Sequence, residues 1–198
     1  MNERSNPTPA QVTSYLRDRR NWGRWGEKGN AGAINLITSE KRLKALSIPK
    51  SGQTISLSKT LPVKPSPQNP LPVQHYMKKI SLPGGMGTAM DYVGISPHGH
   101  SVTHIDALCH MWDGEGMWDG RNPDEEITFD GAKYGSVDAW SDGIITRGIL
   151  LDVPKHRGEP YVTIDSPIHG WELSDIAKNQ GVSIEPGDAV IVFGGANA

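Results

Sequence analysis

A chain of 198 residues is one ordinary domain's worth of polypeptide, long enough to bury a core. Its 20 basic and 22 acidic residues leave a net charge of −2 and a pI near 6.4, so it lacks the field that holds a nucleic-acid backbone or an anionic membrane. Glycine and proline, 23 and 15 residues, exceed average usage and predict a turn-rich fold rather than a helix bundle, while 36% hydrophobic residues argue against disorder.

The single cysteine, Cys109, excludes an internal disulfide or a Cys-rich zinc module and suits a reducing, cytoplasmic compartment. Residues 1–20 are polar and charged and read as a flexible N-terminal arm, with no signal peptide; 21–198 read as a single domain. The longest apolar run, Ala189 to Phe193, has five residues, too short to span a bilayer.

Glycines at 23, 26, 29 and 32 predict a structured loop over 21–37, and Thr38 is a candidate N-cap for a short helix carrying Leu43 and Leu46. Gln53 to Leu61 alternates like a strand. Five prolines between Pro62 and Pro72 then make an extended connection, a surface loop or flap. His75–Leu82 and Thr88–Ile95 predict two strands around Pro83-Gly84-Gly85. Residues 111–143 are rich in Trp, Gly and Asp and predict long loops. Gly148–Val153 predicts a strand covered on both faces. Trp171–Gln180 predicts a helix burying Trp171, Leu173, Ile176 and Ala177, ended by Gly181, and Glu185-Pro186-Gly187-Asp188 a turn into a buried strand, AVIVF. A strand-rich α/β or α+β domain follows.

Four of the seven histidines, His98, His100, His104 and His110, fall within thirteen residues. His100, His104 and Asp106 form H-x-x-x-H-x-D, the donor types of a catalytic divalent-metal site with open positions for water. A straight strand would hold His100 and Asp106 about 20 Å apart. A straight helix would turn Asp106 roughly 200° from His104. The segment must therefore bend, and Pro97 and Gly99 permit it. His98 reads as a neighbour that hydrogen-bonds this loop.

The stretch HSVTHIDALCH at 100–110 resembles the signature H-x-G-T-H-x-D-x-P-x-H of the cyclase family of metal-dependent hydrolases, which includes bacterial kynurenine formamidases and isatin hydrolases. Val102 and Leu108 stand where that signature has glycine and proline. NWGRWG at 21–26, INLIT at 34–38, HMWDGEGMWDG at 110–120 and RGILLDV at 147–153 resemble further landmarks, so the likeness covers most of 21–195. It implies an α/β fold, a swivelling β/β/α domain with a mixed, barrel-like sheet and few helices.

The resemblance also implies His100, His104 and Asp106 as ligands of Zn²⁺ or Mn²⁺ and His110 as the acid/base. The expected reaction is hydrolysis of a C–N bond in a small aromatic amide, imide or lactam by hydroxide generated at the metal, as in tryptophan catabolism; a homo-oligomer is expected too. Family chains normally continue past GDAVIVF, and two-metal relatives carry a further histidine and glutamate there. The likeness therefore implies a member incomplete at its C-terminal end, or alternatively one that keeps the metal motif without catalysis.

Trp112 and Trp118 either line a pocket for a planar substrate or anchor a loop with little other core. Cys109 reads as a small buried residue rather than a nucleophile. Asp124–Glu126 reads as a solvated loop and Asp188 as a turn residue.

Overall fold

The computed structural model describes residues 6–99 and 101–195, and the chain divides into two compact units, Met1–Ser51 with Ala107–Ala198, and Gly52–Asp106. The first unit's helices are α1 (Pro9–Asp18), α2 (Ser39–Leu46), α3 (Pro123–Glu126), α4 (Val153–Arg157) and α5 (Gly170–Asn179). Its strands are β3 (Ile127–Thr128) with β4 (Gly131–Ala132), and β5 (Gly148–Asp152) with β6 (Ala189–Phe193). The second unit is built on the antiparallel hairpin of β1 (Gln74–Ser81) and β2 (Gly87–Gly94). Strand pairing among the described residues gives three two-stranded sheets and no closed barrel.

β5 and β6 are parallel, in register from Gly148 opposite Ala189 to Asp152 opposite Phe193. Parallel neighbours need a crossover, and α4 and α5 supply it. Ile149 and Leu151 of β5 and Val153 of α4 pack with Ile176 and Ala177 of α5 to form the core. Coverage is one-sided: Leu150 remains 54% exposed and every residue of β6 is exposed. The expectation of strands covered on both faces is therefore corrected, because the helices lie on one face only.

Helix α5 ends as its sequence predicts. Gly181 takes φ +67, and the Gly181 and Val182 N–H groups donate to Lys178 and Ala177 carbonyls at 3.0 and 2.9 Å, closing the last turn where only glycine is unstrained. The buried face differs from expectation at its start: Glu172 is buried and Trp171 exposed. Burial of Glu172 is tolerated because Arg157 donates two hydrogen bonds to its carboxylate, at 2.6 and 2.7 Å. That guanidinium holds the Glu172 carboxyl below the usual range.

Thr38 caps α2 as predicted, its hydroxyl accepting from the Lys41 N–H at 3.2 Å. Leu43 and Leu46 nevertheless point outward, and Lys41 and Ala45 are buried instead. The cause is electrostatic. Lys41 Nζ lies 2.6 Å from Asp188 Oδ1, whose side chain is completely buried, and Arg147 binds the same carboxylate at 3.0 and 2.6 Å. Asp188 is thus more than the turn residue expected. It accepts from the Glu185 N–H at 2.8 Å and also joins α2 to the starts of β5 and β6.

The structure adds to or changes the expectation at three further stretches. Gln53–Leu61 forms no strand, since no partner strand pairs with it among the described residues; the Lys59 N–H donates instead to the Thr103 hydroxyl at 3.0 Å. Within the segment read as an arm, α1 carries a capping box between Thr8 and Gln11 with Pro9 in the first turn, a signal present in the sequence as T-P-A-Q. Residues 111–143 contain α3, β3, β4 and single turns of 3₁₀ helix rather than loops alone. Among the described residues no helix is long and apolar enough to cross a membrane.

Candidate metal centre

The histidine cluster follows β2 directly. The chain leaves the strand at Gly94, carries no regular element from Ile95 to His98, and bends at Gly99 and again at Ser101 and Val102. Gly99 has φ +139, which side-chain-bearing residues rarely adopt, so the bend inferred from ligand spacing has its glycine at the point of need.

Asp106 is the meeting point. Its Oδ1 lies 2.9 Å from His98 Nδ1 and 3.3 Å from His104 Nε2, and the two imidazoles meet edge to face with centroids 5.3 Å apart. His100, expected as the first ligand, lies outside the described residues. His110 follows Asp106 by four residues, and its N–H donates to the Ala107 carbonyl at 3.1 Å. Within the Gly52–Asp106 unit, His98, His104 and Asp106 thus bring two imidazoles and a carboxylate together, a set of donors that could hold a metal ion. Sequence spacing gave His98 only a supporting part; its approach to Asp106 depends on the bend between them.

The protonation chemistry of His104 tests the fit of a cation. Its Nδ1 is 2.8 Å from the Val102 carbonyl oxygen, which can only accept, so Nδ1 carries the hydrogen. In the neutral ring Nε2 is then an acceptor, 3.3 Å from a carboxylate oxygen that is also an acceptor. Two such atoms approach this closely only with a proton or a metal cation to share. Two donors bound tetrahedrally at about 2.1 Å lie roughly 3.4 Å apart. A ring N–H turned to a backbone carbonyl is also how metal-ligating histidines are oriented. The donors present thus fit a divalent ion.

Trp112 and Trp118 lie in the other unit, in a cleft of about 370 Å³ that they share with Leu16, Trp22 and Met111. Trp112 is exposed there. Trp118 is held in place: its indole N–H donates to the Gly29 carbonyl at 2.9 Å and its ring lies 5.9 Å from that of Trp25. Gly29 allows a close crossing here, since a Cβ would press on the Tyr134 hydroxyl and come within 2.5 Å of the Asp119 carboxylate. Cys109 is a half-buried free thiol whose N–H donates to the Gly135 carbonyl. Asp124–Glu126 form α3, capped by Asn122.

These features define a mixed α/β protein with few helices and a bent His/Asp loop able to hold a metal. The Cyclase family model, described as "Putative cyclase", matches residues 45–198, and the chain belongs to that family. A crystal structure of a novel cyclase superposes with a TM-score of 0.75 at 28% identity, covering 87% of this chain and 60% of that one. The chain thus spans less than two thirds of the length of that relative. No curated protein matches significantly.

Proposed function

We propose that this chain is a metal-dependent hydrolase that opens a C–N bond in a small aromatic amide, imide or lactam, of the arylformamidase or isatin hydrolase type. The observation that carries the reading is the pair of acceptors His104 Nε2 and Asp106 Oδ1, 3.3 Å apart. His104 and Asp106, with His100, are the proposed ligands of Zn²⁺ or Mn²⁺. Such an ion supplies an activated water and a Lewis acid for the carbonyl oxygen. Val102, through its carbonyl, holds the His104 ring in the orientation and tautomer that leave Nε2 able to bind. His98 holds Asp106 Oδ1 from the other side. His110 is proposed to take a proton from the attacking water and return it to the leaving nitrogen, a task suited to an imidazole near neutral pH.

Trp112 and Trp118 are the proposed contacts for a planar substrate. Residues 21–198 would act as one catalytic domain with the swivelling β/β/α arrangement, in a cytoplasmic homo-oligomer.

Elemental analysis after loading with zinc or manganese, followed by hydrolysis of formanilide with and without chelator, tests the reading. At least one divalent ion per chain and chelator-sensitive turnover are expected. Protein that stays metal-free in excess zinc and manganese would overturn it. Stoichiometric metal without turnover would point to a metal-binding, non-catalytic member.

A further inference from the structure

We propose that the cleft between α1 and the start of α5 is a binding site for an aromatic carboxylate, with Arg19 as the counter-charge and Tyr15 and Trp171 as walls. The site goes beyond the hydrolase reading and uses none of the residues assigned to that reaction.

Both helices belong to the Met1–Ser51 with Ala107–Ala198 unit. Gln11, Tyr15 and the C-cap Arg19 recur every four residues, so they share one face of α1. That face lines the cleft together with His169 and Trp171. The space is about 650 Å³, inside the range of about 300 to 1,000 Å³ for small-molecule sites and enough for a two-ring acid.

Trp171 supplies a flat wall. Helical periodicity assigns its indole to the core, yet Glu172 takes the buried position and Trp171 remains 41% exposed. The His169 imidazole lies along the indole, with centroids 5.6 Å and planes 12° apart, and so sets the angle of the ring. An indole held in one orientation loses little freedom when a ligand binds.

Arg19 supplies the charge. Its neighbours are paired, Arg17 with Asp18 and Arg20 with Asp113 and Glu115. Arg19 instead lies over the Tyr15 ring, its guanidinium carbon 4.4 Å from the centroid, and among the described residues no carboxylate pairs with it. Contact with a ring occupies a face of the guanidinium and leaves its N–H edge, which matches a carboxylate in a two-pronged pair. Among the described lining residues there is no acid to compete. Of the acids on these helices, Asp18 is bound by Arg17 and Ser14 and Glu172 by Arg157, and Asp175 is not at the lining. A single permanent cation between aromatic walls selects a flat monoanion over a neutral ring or a multiply charged phosphate.

Ligand-observed NMR titration of the full chain with 2-naphthoate and with its neutral analogue 2-naphthamide tests the site. The acid should bind about tenfold tighter, the worth of a charge-assisted pair. Arg19→Gln should erase that difference while the amide binds as before, and Trp171→Leu should weaken both ligands about fivefold. Both substitutions are at exposed side chains, and thermal unfolding checks that the fold is kept. Three changes should preserve the affinity for naphthoate: Glu3→Gln with Arg4→Gln, ahead of the described residues; Trp112→Leu, in the other aromatic cleft; and loading with zinc. Equal binding of acid and amide overturns the proposal, as does an acid affinity that survives Arg19→Gln. Loss of naphthoate binding in the Trp112 or the Glu3 and Arg4 variant places the acid elsewhere and overturns it too. Binding that appears only with zinc, or none at millimolar concentration, has the same consequence. Chelator-sensitive turnover, a separate measurement, decides the hydrolase reading whichever way the titration falls.

Discussion

At the scale of single residues, His104 has the most exacting geometry. A carbonyl fixes one ring nitrogen as a donor, which leaves the other as an acceptor opposite an acidic oxygen. Replacing the ring by alanine removes one proposed ligand and should lower affinity for zinc at least about 100-fold, since even loss of an outer-shell partner costs 10- to 100-fold. Competition with a chromophoric chelator reads this directly. Unchanged affinity in His104→Ala would show that the close approach is stabilised by a proton instead. His98→Ala should cost less, about tenfold, if its part is to hold Asp106 rather than to bind the ion. A loss equal to that of His104→Ala would make His98 a ligand in its own right.

At the scale of elements, α5 shows what keeps a polar residue inside. Glu172 is buried because Arg157, at the end of α4, reaches its carboxylate with two N–H groups and donates further to the Ser166 and Pro167 carbonyls. Arg157→Ala leaves that carboxylate without its counter-charge and should destabilise the unit by about 3 kcal/mol. Gly181→Ala forces a side chain into left-handed backbone and should cost about 1 kcal/mol. Urea denaturation compares the two, and a smaller loss for Arg157→Ala than for Gly181→Ala would show that the ion pair does little for stability.

Local signals explain which elements could be read from the sequence. α5 ends on a glycine, α2 starts on a threonine cap and β1 and β2 flank a Pro-Gly-Gly turn, all features that act within a few residues. Gln53–Leu61 alternates just as well yet forms no strand, because alternation specifies a face and not a partner. The same distinction holds at the metal centre. Donor types mark His104 and Asp106 as candidate ligands, and the need for a bend points to Pro97 and Gly99. The approach of His98 to Asp106 and the burial of Lys41 and Asp188 are contacts through space, and no local pattern encodes them.

At the scale of the molecule, the charge cluster around Asp188 connects parts of the Met1–Ser51 with Ala107–Ala198 unit that are far apart in sequence. Lys41 comes from α2, Arg147 from the residue before β5, and Asp188 from the turn into β6. Arg147, then Lys41, hold the Asp188 carboxyl well below the ordinary aspartate range, and Lys41 and Lys44 lower that of Glu185. Since the folded-state value lies below that of the unfolded chain, about 3.9 for aspartate, protons bind preferentially to the unfolded state. The stability from this cluster is therefore fully present above about pH 4 to 5 and is lost as the pH falls through and below that range. Asp188→Asn removes the titrating group and takes from Arg147 and Lys41 their buried counter-charge, so it should cost about 3 kcal/mol at neutral pH. It should also flatten the acid limb, so that wild type and variant converge as the pH falls toward 3. Thermal unfolding of both between pH 3 and 7 tests this. Parallel curves across that range would mean that the carboxylate titrates alike in the folded and unfolded chain, and that the buried cluster does not govern acid stability.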